Sequence, residues 1–381
     1  MRSGDRAKVC YPIAGKPAIL HLLHALKQAE ITKHVIVVGK HAQQVMETVS
    51  PEYPDVIYAF QREQLGTGHA ARVGMKVLQQ FSFSGRVLVI AGDKVIKRDP
   101  LMRLISRFEE ESPDLAFLVG DKAWEPTAGR IVYSLENEPI ASIEKFDSGR
   151  SRLLAAFFAN TDRGAVMEAE RALSLAGQFI GPNRKIKLAI GELYTMLQNG
   201  QPLTRDLLQK YFSAEDRLIT LAPGHQITGA EVEKSRYVNL SVYLFKADAL
   251  YQSLKQISSK NAQGEEYLTD VISILHQQQR RVLAVKAESA DEVMSFNTPE
   301  ELQRIEERMA PPRATLQTTD NPRTFVQKIS DWQKVLSRNG RVEKWLGQLF
   351  GRPESSRQKN VELLRLCLEK FKEHYGDRPA L

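Results

Sequence analysis

In the first third of the chain, apolar and largely β-branched runs alternate with stretches whose apolar residues recur at helical spacing. Val35 to Gly39 (VIVVG), Val56 to Phe60 (VIYAF), Arg86 to Ala91 (RVLVIA) and Leu115 to Gly120 (LAFLVG) read as buried strands. Between them, Ala18 to Ala29 carries Ile19, Leu22, Leu23 and Leu26 on one helical face, and His69 to Gln80 carries Ala70, Val73, Val77 and Leu78. Strands that are apolar throughout, rather than alternating, are strands buried on both faces. The pattern therefore predicts an α/β domain, with a mostly parallel sheet covered by helices on both sides.

From about 151 to 236 the texture turns helical, with periodic patches such as Leu203 to Tyr211 and no convincing strand ladder. Sheet-like sequence returns at Tyr237 to Phe245 (YVNLSVYLF) and at Arg281 to Lys286 (RVLAVK). The expected layout is one domain over 1–310 interrupted by a helical insertion at about 151–236. Such an insertion costs little, because loop-closure entropy grows only logarithmically with length. Pro311 and Pro312 open a polar linker over 311–322, and 323–381 reads as a helical extension. Within it, Val361, Leu364, Leu368, Phe371 and Tyr375 line one face of a predicted helix, a stripe that needs a partner surface.

Composition removes several classes. At 381 residues, 42% hydrophobic and 26% charged, the chain has ample core for folded domains and is neither a disordered chain nor a disulfide-stapled miniprotein. No run approaches the ~20 apolar residues of a membrane span, so the expectation is a cytoplasmic protein without a membrane partner. Two cysteines, Cys10 and Cys367, lack metal-ligand spacing. The net charge of +7 is spread without a run of five basic residues or interleaved aromatics, which argues against a nucleic-acid partner.

Four clusters could carry chemistry. Lys8 lies in RAKVCYPIAGKP, directly before a helix near the start of the sheet, where a lysine suits a phosphate; a plain surface lysine is the alternative. QREQLGTGHA follows a strand, and Gly66 and Gly68 let backbone approach a ligand while Gln61, Gln64 and Thr67 offer hydrogen bonds. The third glycine of a dinucleotide fingerprint and the Gly-Lys-Ser/Thr ending of a P-loop are both missing. VLVIAGD delivers Asp93 at the end of a buried strand, where one carboxylate can hold Mg²⁺ on a substrate phosphate, or can simply make a turn. In MSFNTPEEL, Asn297 is either a ligand or, with Thr298, a cap for the helix opening at Pro299, with Glu301 in its first turn.

Together, in order and spacing, these segments resemble the sugar-phosphate nucleotidyltransferases, and most closely the uridylyltransferase half of the enzymes making UDP-N-acetylglucosamine. KVCYPIAGKPAILHLL, QLGTGHA, VLVIAGD, TAGRI, SIEKFD, YVNLSVYLF and NAQGEEYLTDVI follow in family order over about 1–150 and 236–310. The resemblance implies a Rossmann-like nucleotidyltransferase fold that transfers a uridylyl group from UTP to a sugar 1-phosphate, N-acetylglucosamine 1-phosphate first among acceptors. It assigns Lys8 to the phosphates, and Gln61, Gln64, Gly66 and Thr67 to the uracil loop. Asp93 and Asn297 would share Mg²⁺, and Gly129, Glu144 and Asn239 would hold the sugar phosphate.

The chain departs from that family at three places. Members open with a strand and a G-x-G-T-R-M loop; Met1-Arg2-Ser3 aligns with the end of that loop, so the expectation is a sheet lacking its first strand and a nucleotide site lacking that loop. Such a chain could also bind a nucleotide sugar without turnover. The proline usual before the lysine is Ala7, and the segment around Asn297 reads SFN rather than GVN. The insertion falls between Glu144 and Asn239, beside the sugar residues. Finally, NVELLRLCLEKFKEHYGDRPAL resembles the lead-in helix of galactokinase-like sugar kinases, which implies fusion to a kinase; a terminal helix docking on its own domain is the alternative.

Overall fold

A computed structural model of the protein describes residues 6–222 and 224–309. The expected linker at 311–322, the helical extension at 323–381 and the kinase-like segment within it lie outside the described residues.

The first half places its strands and helices where the apolar pattern predicts, but the VIYAF strand is not wholly buried. Ile57 and Phe60 are exposed, because among the described residues it pairs on only one side, with VIVVG, in a two-stranded ladder. A small hairpin, β1 (Pro12–Ile13) and β2 (Lys16–Pro17), leads into α1 (Ala18–Gln28), whose Ile19, Leu22, Leu23 and Leu26 are all buried. Then follow β3 (Val35–Val38), α2 (Ala42–Val49), β4 (Ile57–Phe60), α3 (Thr67–Gln80), β5 (Arg86–Ile90), β6 (Lys94–Ile96), α4 (Arg98–Glu111) and β7 (Leu115–Asp121). Two more strands, β8 (Arg130–Tyr133) and β9 (Pro139–Ile143), pair antiparallel and bring the chain to Glu144.

Past the insertion come β12 (Tyr237–Lys246), α11 (Ala247–Leu254), α12 (Val271–Gln277), β13 (Val282–Lys286), β14 (Val293–Ser295) and α13 (Pro299–Met309). The main sheet is mixed, with strand order β13-β7-β12-β8-β9 and β5 on the remaining part of β12. β13 runs parallel to β7, and β12 runs antiparallel to β5, β7 and β8, so this sheet is mixed rather than mostly parallel as expected, because the long β12 enters it between β5 and β7 in the opposite direction. β7 shows why its sequence is apolar throughout. Ala116 and Leu118 enter the core under α1 and α4, while Leu115, Phe117 and Val119 enter the core under α3, α11 and α12.

β3 and β4 form a separate parallel ladder that shares the α1 core through Ile36 and Val38. Among the described residues β5 has one ladder partner, β12, and its Val87 to Ile90 are only half-buried where the β7 residues are fully buried. β12 carries a bulge between Asn239 and Tyr243, and Ser241 inside it takes a left-handed φ of 57°.

The insertion is a folded piece with its own apolar core. It begins earlier than the sequence suggests, because α5 (Lys145–Asn160) starts on the residue after Glu144. α6 (Ala169–Ile180), α7 (Asn183–Ile190), α8 (Glu192–Gln198) and α9 (Arg205–Tyr211) pack around Leu153, Phe157, Ala172, Leu193 and Leu208. It is not wholly helical: β10 (Leu218–Ala222) and β11 (His225–Thr228) make an antiparallel hairpin, followed by α10 (Gly229–Val232).

Candidate active site

Three segments far apart in sequence meet at Lys8. The lysine starts a single 3₁₀ turn, Lys8–Cys10, that follows the buried Ala7. Asp93 sits between β5 and β6, and Asn297 between β14 and α13. The antiparallel pairing of β6 with β14, which puts Lys94 opposite Ser295, carries those two residues to the same sheet end. The Lys8 ammonium forms an ion pair with Asp93 Oδ2 and donates to Asn297 Oδ1 at 2.8 Å. It also lies 5.3 Å from the centre of the Phe296 ring. Lys8 and Asp93 are each about a quarter exposed, so the cluster opens to solvent.

The helix cap beside this cluster belongs to Thr298. Its hydroxyl accepts the Glu301 N–H at 3.2 Å, and the Glu301 carboxylate accepts the N–H groups of Asn297 and Thr298. That is a reciprocal capping box. The Asn297 side-chain oxygen is therefore directed to Lys8 rather than to the helix.

Next to Asp93, Lys94 is buried, and desolvation lowers its ammonium pKa while Asp93 and Glu125 oppose the shift. Burial raises the Glu125 carboxyl, and Ser295 donates to it at 3.1 Å. Sequence reading did not single out Lys94 or Glu125. The signal available for the lysine was a cation directly after a strand-end aspartate and inside a buried strand.

The loop Gln61–Gly68 is locked to the GEEYLTD segment by backbone pairing. Glu266 donates its N–H to the Leu65 carbonyl at 2.7 Å and accepts the Gly68 N–H at 2.8 Å. Leu268 donates its N–H to the Thr67 hydroxyl at 3.0 Å. Gly66 has φ +118°, a conformation open to glycine, and a Cβ there would meet the Glu266 carbonyl oxygen at 2.4 Å. Gln61 is buried; its amide nitrogen reaches the Gly66 carbonyl at 3.4 Å and His69 Nδ1 at 3.0 Å. Gln64 and Thr67 are exposed.

Gly129, Asn239 and Glu144 gather around β8, β9 and β12. Asn239 donates its backbone N–H to the Gly129 carbonyl at 2.9 Å. Its buried side chain donates to Ser142 Oγ at 3.2 Å and accepts the Ser241 N–H at 2.8 Å, which holds the β12 bulge. Glu144 accepts a 3.0 Å bond from the Thr269 hydroxyl. Burial raises its carboxyl above the usual range, and the charges of Asp147 and Glu265 push the same way. Asp147 is raised chiefly by burial, and it accepts the Ala262 N–H at 3.0 Å. Burial, then the charges of Glu144 and Asp147, push Asp270 up to about 7. Asp147, Thr269 and Asp270 lie inside SIEKFD and NAQGEEYLTDVI, yet spacing alone could not mark the buried Thr269 and the half-buried Asp147 and Asp270 as neighbours of Glu144.

These carboxyls line a cavity of 820 Å³ whose far side is the insertion. Behind them, Arg130, only 2% exposed, pairs with Glu233 at the end of the insertion, and Lys145 and Ser148 bind the same carboxylate. Among the described residues, no group of three or more His, Cys, Asp or Glu side chains is arranged to hold a metal ion. No helix among them is long and apolar enough to cross a membrane.

Residues 3–146 match the family model described as nucleotidyl transferase. The bifunctional protein GlmU of Exiguobacterium sp. is 26% identical over 291 residues, which are 76% of this chain and 46% of that protein. The protein of the same name from Limosilactobacillus fermentum is 27% identical over 291 residues, 76% of this chain and 45% of that one. The chain thus spans about half the length of these relatives. Among solved structures, the inositol-1-phosphate CTP transferase from T. maritima superposes with a TM-score of 0.47 at 11% identity, covering 81% of this chain and 91% of that one. Residues 3–146, the stretch that carries Lys8, Gln61, Gly66, Asp93 and Glu144, are thus similar to the nucleotidyl transferase family.

Proposed function

We propose that the protein transfers a uridylyl group from UTP to a sugar 1-phosphate, releasing pyrophosphate. The observation that supports this most is the convergence of Lys8, Asp93 and Asn297, from three separate segments, on one open point at the sheet end. A lysine ammonium suits phosphate oxygens, and the carboxylate and amide oxygen beside it suit the cation that a triphosphate carries. The donor set also suits Mg²⁺: one carboxylate and one neutral oxygen are enough for an ion that keeps several waters and takes substrate phosphates as further ligands. When bound there, Mg²⁺ supplies neutralisation of the phosphate charge.

The chain's own residues do the rest by positioning. Lys8 leaves Asp93 to bind the nucleotide phosphates. The Gln61, Gln64, Gly66 and Thr67 loop, braced by Glu266, seats the base. Gly129, Glu144 and Asn239 place the sugar 1-phosphate so that its phosphate oxygen attacks the α-phosphorus of UTP in line. The new P–O bond forms as the bond to the β-phosphate oxygen breaks, and no covalent enzyme intermediate is required. Holding the two substrates in that geometry accounts for the acceleration without a protein nucleophile. N-acetylglucosamine 1-phosphate is the acceptor to assay first, on the strength of the shared segments.

The test is pyrophosphate release from UTP and N-acetylglucosamine 1-phosphate with Mg²⁺, run in parallel with CTP, GTP and ATP. Asp93→Ala is expected to lower turnover by about 10²–10³-fold, the range for loss of one electrostatic contact to the reacting phosphate. Undiminished turnover in Asp93→Ala, or a preference for another triphosphate, overturns the assignment.

A further inference from the structure

The 820 Å³ cavity beside Glu144 has walls of two origins. On the sheet side are Glu144 and Asp270, which the shared family segments supply. On the other side are Leu188, Tyr211 and Thr220, which belong to the insertion and have no counterpart in those segments. The volume lies toward the upper end of the roughly 300–1,000 Å³ typical of clefts that enclose drug-sized ligands. A single sugar ring seated on Glu144 leaves the insertion side of that space unfilled.

The insertion wall is fixed in place rather than loosely apposed. Its own buried core holds α7, α8 and α9 together, so Leu188 and Tyr211 are presented by a folded surface. The Gln277 amide of α12 donates to the Leu221 carbonyl of β10 at 2.8 Å, tying the hairpin to the sheet domain. On the same side, Asp147 at the start of α5 accepts the Ala262 N–H at 3.0 Å. Leu188 is 51% exposed on this wall, so its side chain is open to whatever fills the cavity. An aliphatic side chain, a tyrosine and a threonine hydroxyl together suit a pyranose, which has an apolar face and hydroxyls at its rim.

We propose that the insertion is part of the acceptor site, and that Leu188 and Thr220 select a sugar 1-phosphate extending one ring beyond a monosaccharide. This rests on the transferase reading above, in which Glu144 faces the sugar. The first ring sits at the Glu144 end next to the reacting phosphate. The second ring lies against Leu188 and Tyr211, with Thr220 at its edge.

Pyrophosphate release by the full chain, with UTP and either N-acetylglucosamine 1-phosphate or diacetylchitobiose 1-phosphate, tests the assignment, because the two acceptors share their reacting ring. The disaccharide is expected to show a kcat/KM higher by about tenfold or more, the discrimination one well-filled pocket gives. Leu188→Trp and Thr220→Trp each place an indole in the space of the second ring from an exposed position. Each is expected to lower kcat/KM for the disaccharide by about tenfold while KM for UTP stays within about twofold. Leu135→Trp, on a fully exposed turn between β8 and β9, is the control for surface tryptophan. Equal use of the two acceptors, or tryptophan variants that leave their ratio unchanged, overturns the proposal while the transferase reading stands. Absence of release from both acceptors with the unsubstituted chain overturns the transferase reading, and the proposal falls with it.

Discussion

Gly66 and Glu266, two hundred positions apart along the chain, are in backbone contact: a Cβ on Gly66 would lie 2.4 Å from the Glu266 carbonyl oxygen and 2.8 Å from its nitrogen. No side-chain adjustment relieves that clash, because both atoms are main chain. Gly66→Ala is expected to push the loop off the GEEYLTD segment and to cost about 1–3 kcal/mol, since a left-handed φ adds to the overlap. A lower thermal midpoint together with a raised KM for UTP is the expected outcome. A variant indistinguishable from the parent in both would mean that the two segments need not touch.

Asn297 and Thr298 are neighbours with separable jobs. Thr298→Ala removes the hydroxyl that caps α13 and is expected to cost about 1 kcal/mol of stability with little change in kcat. Asn297→Ala removes the oxygen facing Lys8 and is expected to lower kcat with little change in stability. Denaturant midpoints and initial rates for the two variants check this; the reverse pattern would return Asn297 to the role of helix cap.

Glu233 binds Arg130, Lys145 and Ser148 at once, and Arg130 is nearly inaccessible. Glu233→Ala leaves that guanidinium buried without its counter-charge, for an expected loss of about 3–5 kcal/mol in urea unfolding. Burial works against ionisation of Glu233, yet the Lys145 hydrogen bond and the Arg130 charge outweigh it and hold the carboxyl below its ordinary value. A depressed carboxyl gives stability that is present near neutral pH and lost as pH falls through the folded-state value. The Glu233 variant should therefore show a shallower acid dependence than the parent.

Asp270 behaves in the opposite sense. Its value rises from 3.8 to about 7, through burial and then the charges of Glu144 and Asp147. Between those two values the folded chain holds a proton that the unfolded chain has released, so stability falls as pH rises across that window. Each unit of the rise is worth about 1.4 kcal/mol. Asp270→Asn keeps the shape, removes the titration, and is expected to flatten the stability profile between roughly pH 4 and 7. Urea midpoints across that range measure it, and an unchanged slope in the variant would assign the pH dependence elsewhere.

Much of the fold was legible because its strands are apolar on both faces. LAFLVG at β7 and RVLVIA at β5 read as strands of the sheet, and the structure places both beside β12, with β7 buried and β5 half-buried. The hairpin at β10 and β11 was not legible, since its strands are short, partly polar and set among strong helical periodicities. The start of α5 was missed for a different reason: Lys145 to Gly149 carries little apolar periodicity, and its helicity follows from Phe146 packing on the insertion core.

In the site, Lys8, Asp93 and Asn297 could be read from the order of their segments, and the structure brings them together. The Arg130–Glu233 pair could not be read, because nothing in a sequence says that two charges 103 residues apart share one buried pocket. The carboxyls around Glu144 illustrate the same limit. Their chemistry is visible in the letters, but their raised proton affinity arises from neighbours and from exclusion of water.

The Arg130–Glu233–Lys145 bridge also bears on the chain's modularity. Lys145 opens the insertion and Glu233 stands near its end, and one carboxylate joins both to a strand of the sheet. The two ends of some ninety intervening residues are thereby pinned side by side, so only a short peptide is needed to reconnect them. An exchange of the module between those two ends therefore leaves the Arg130 strand its counter-charge, while the surroundings of the acceptor are rebuilt.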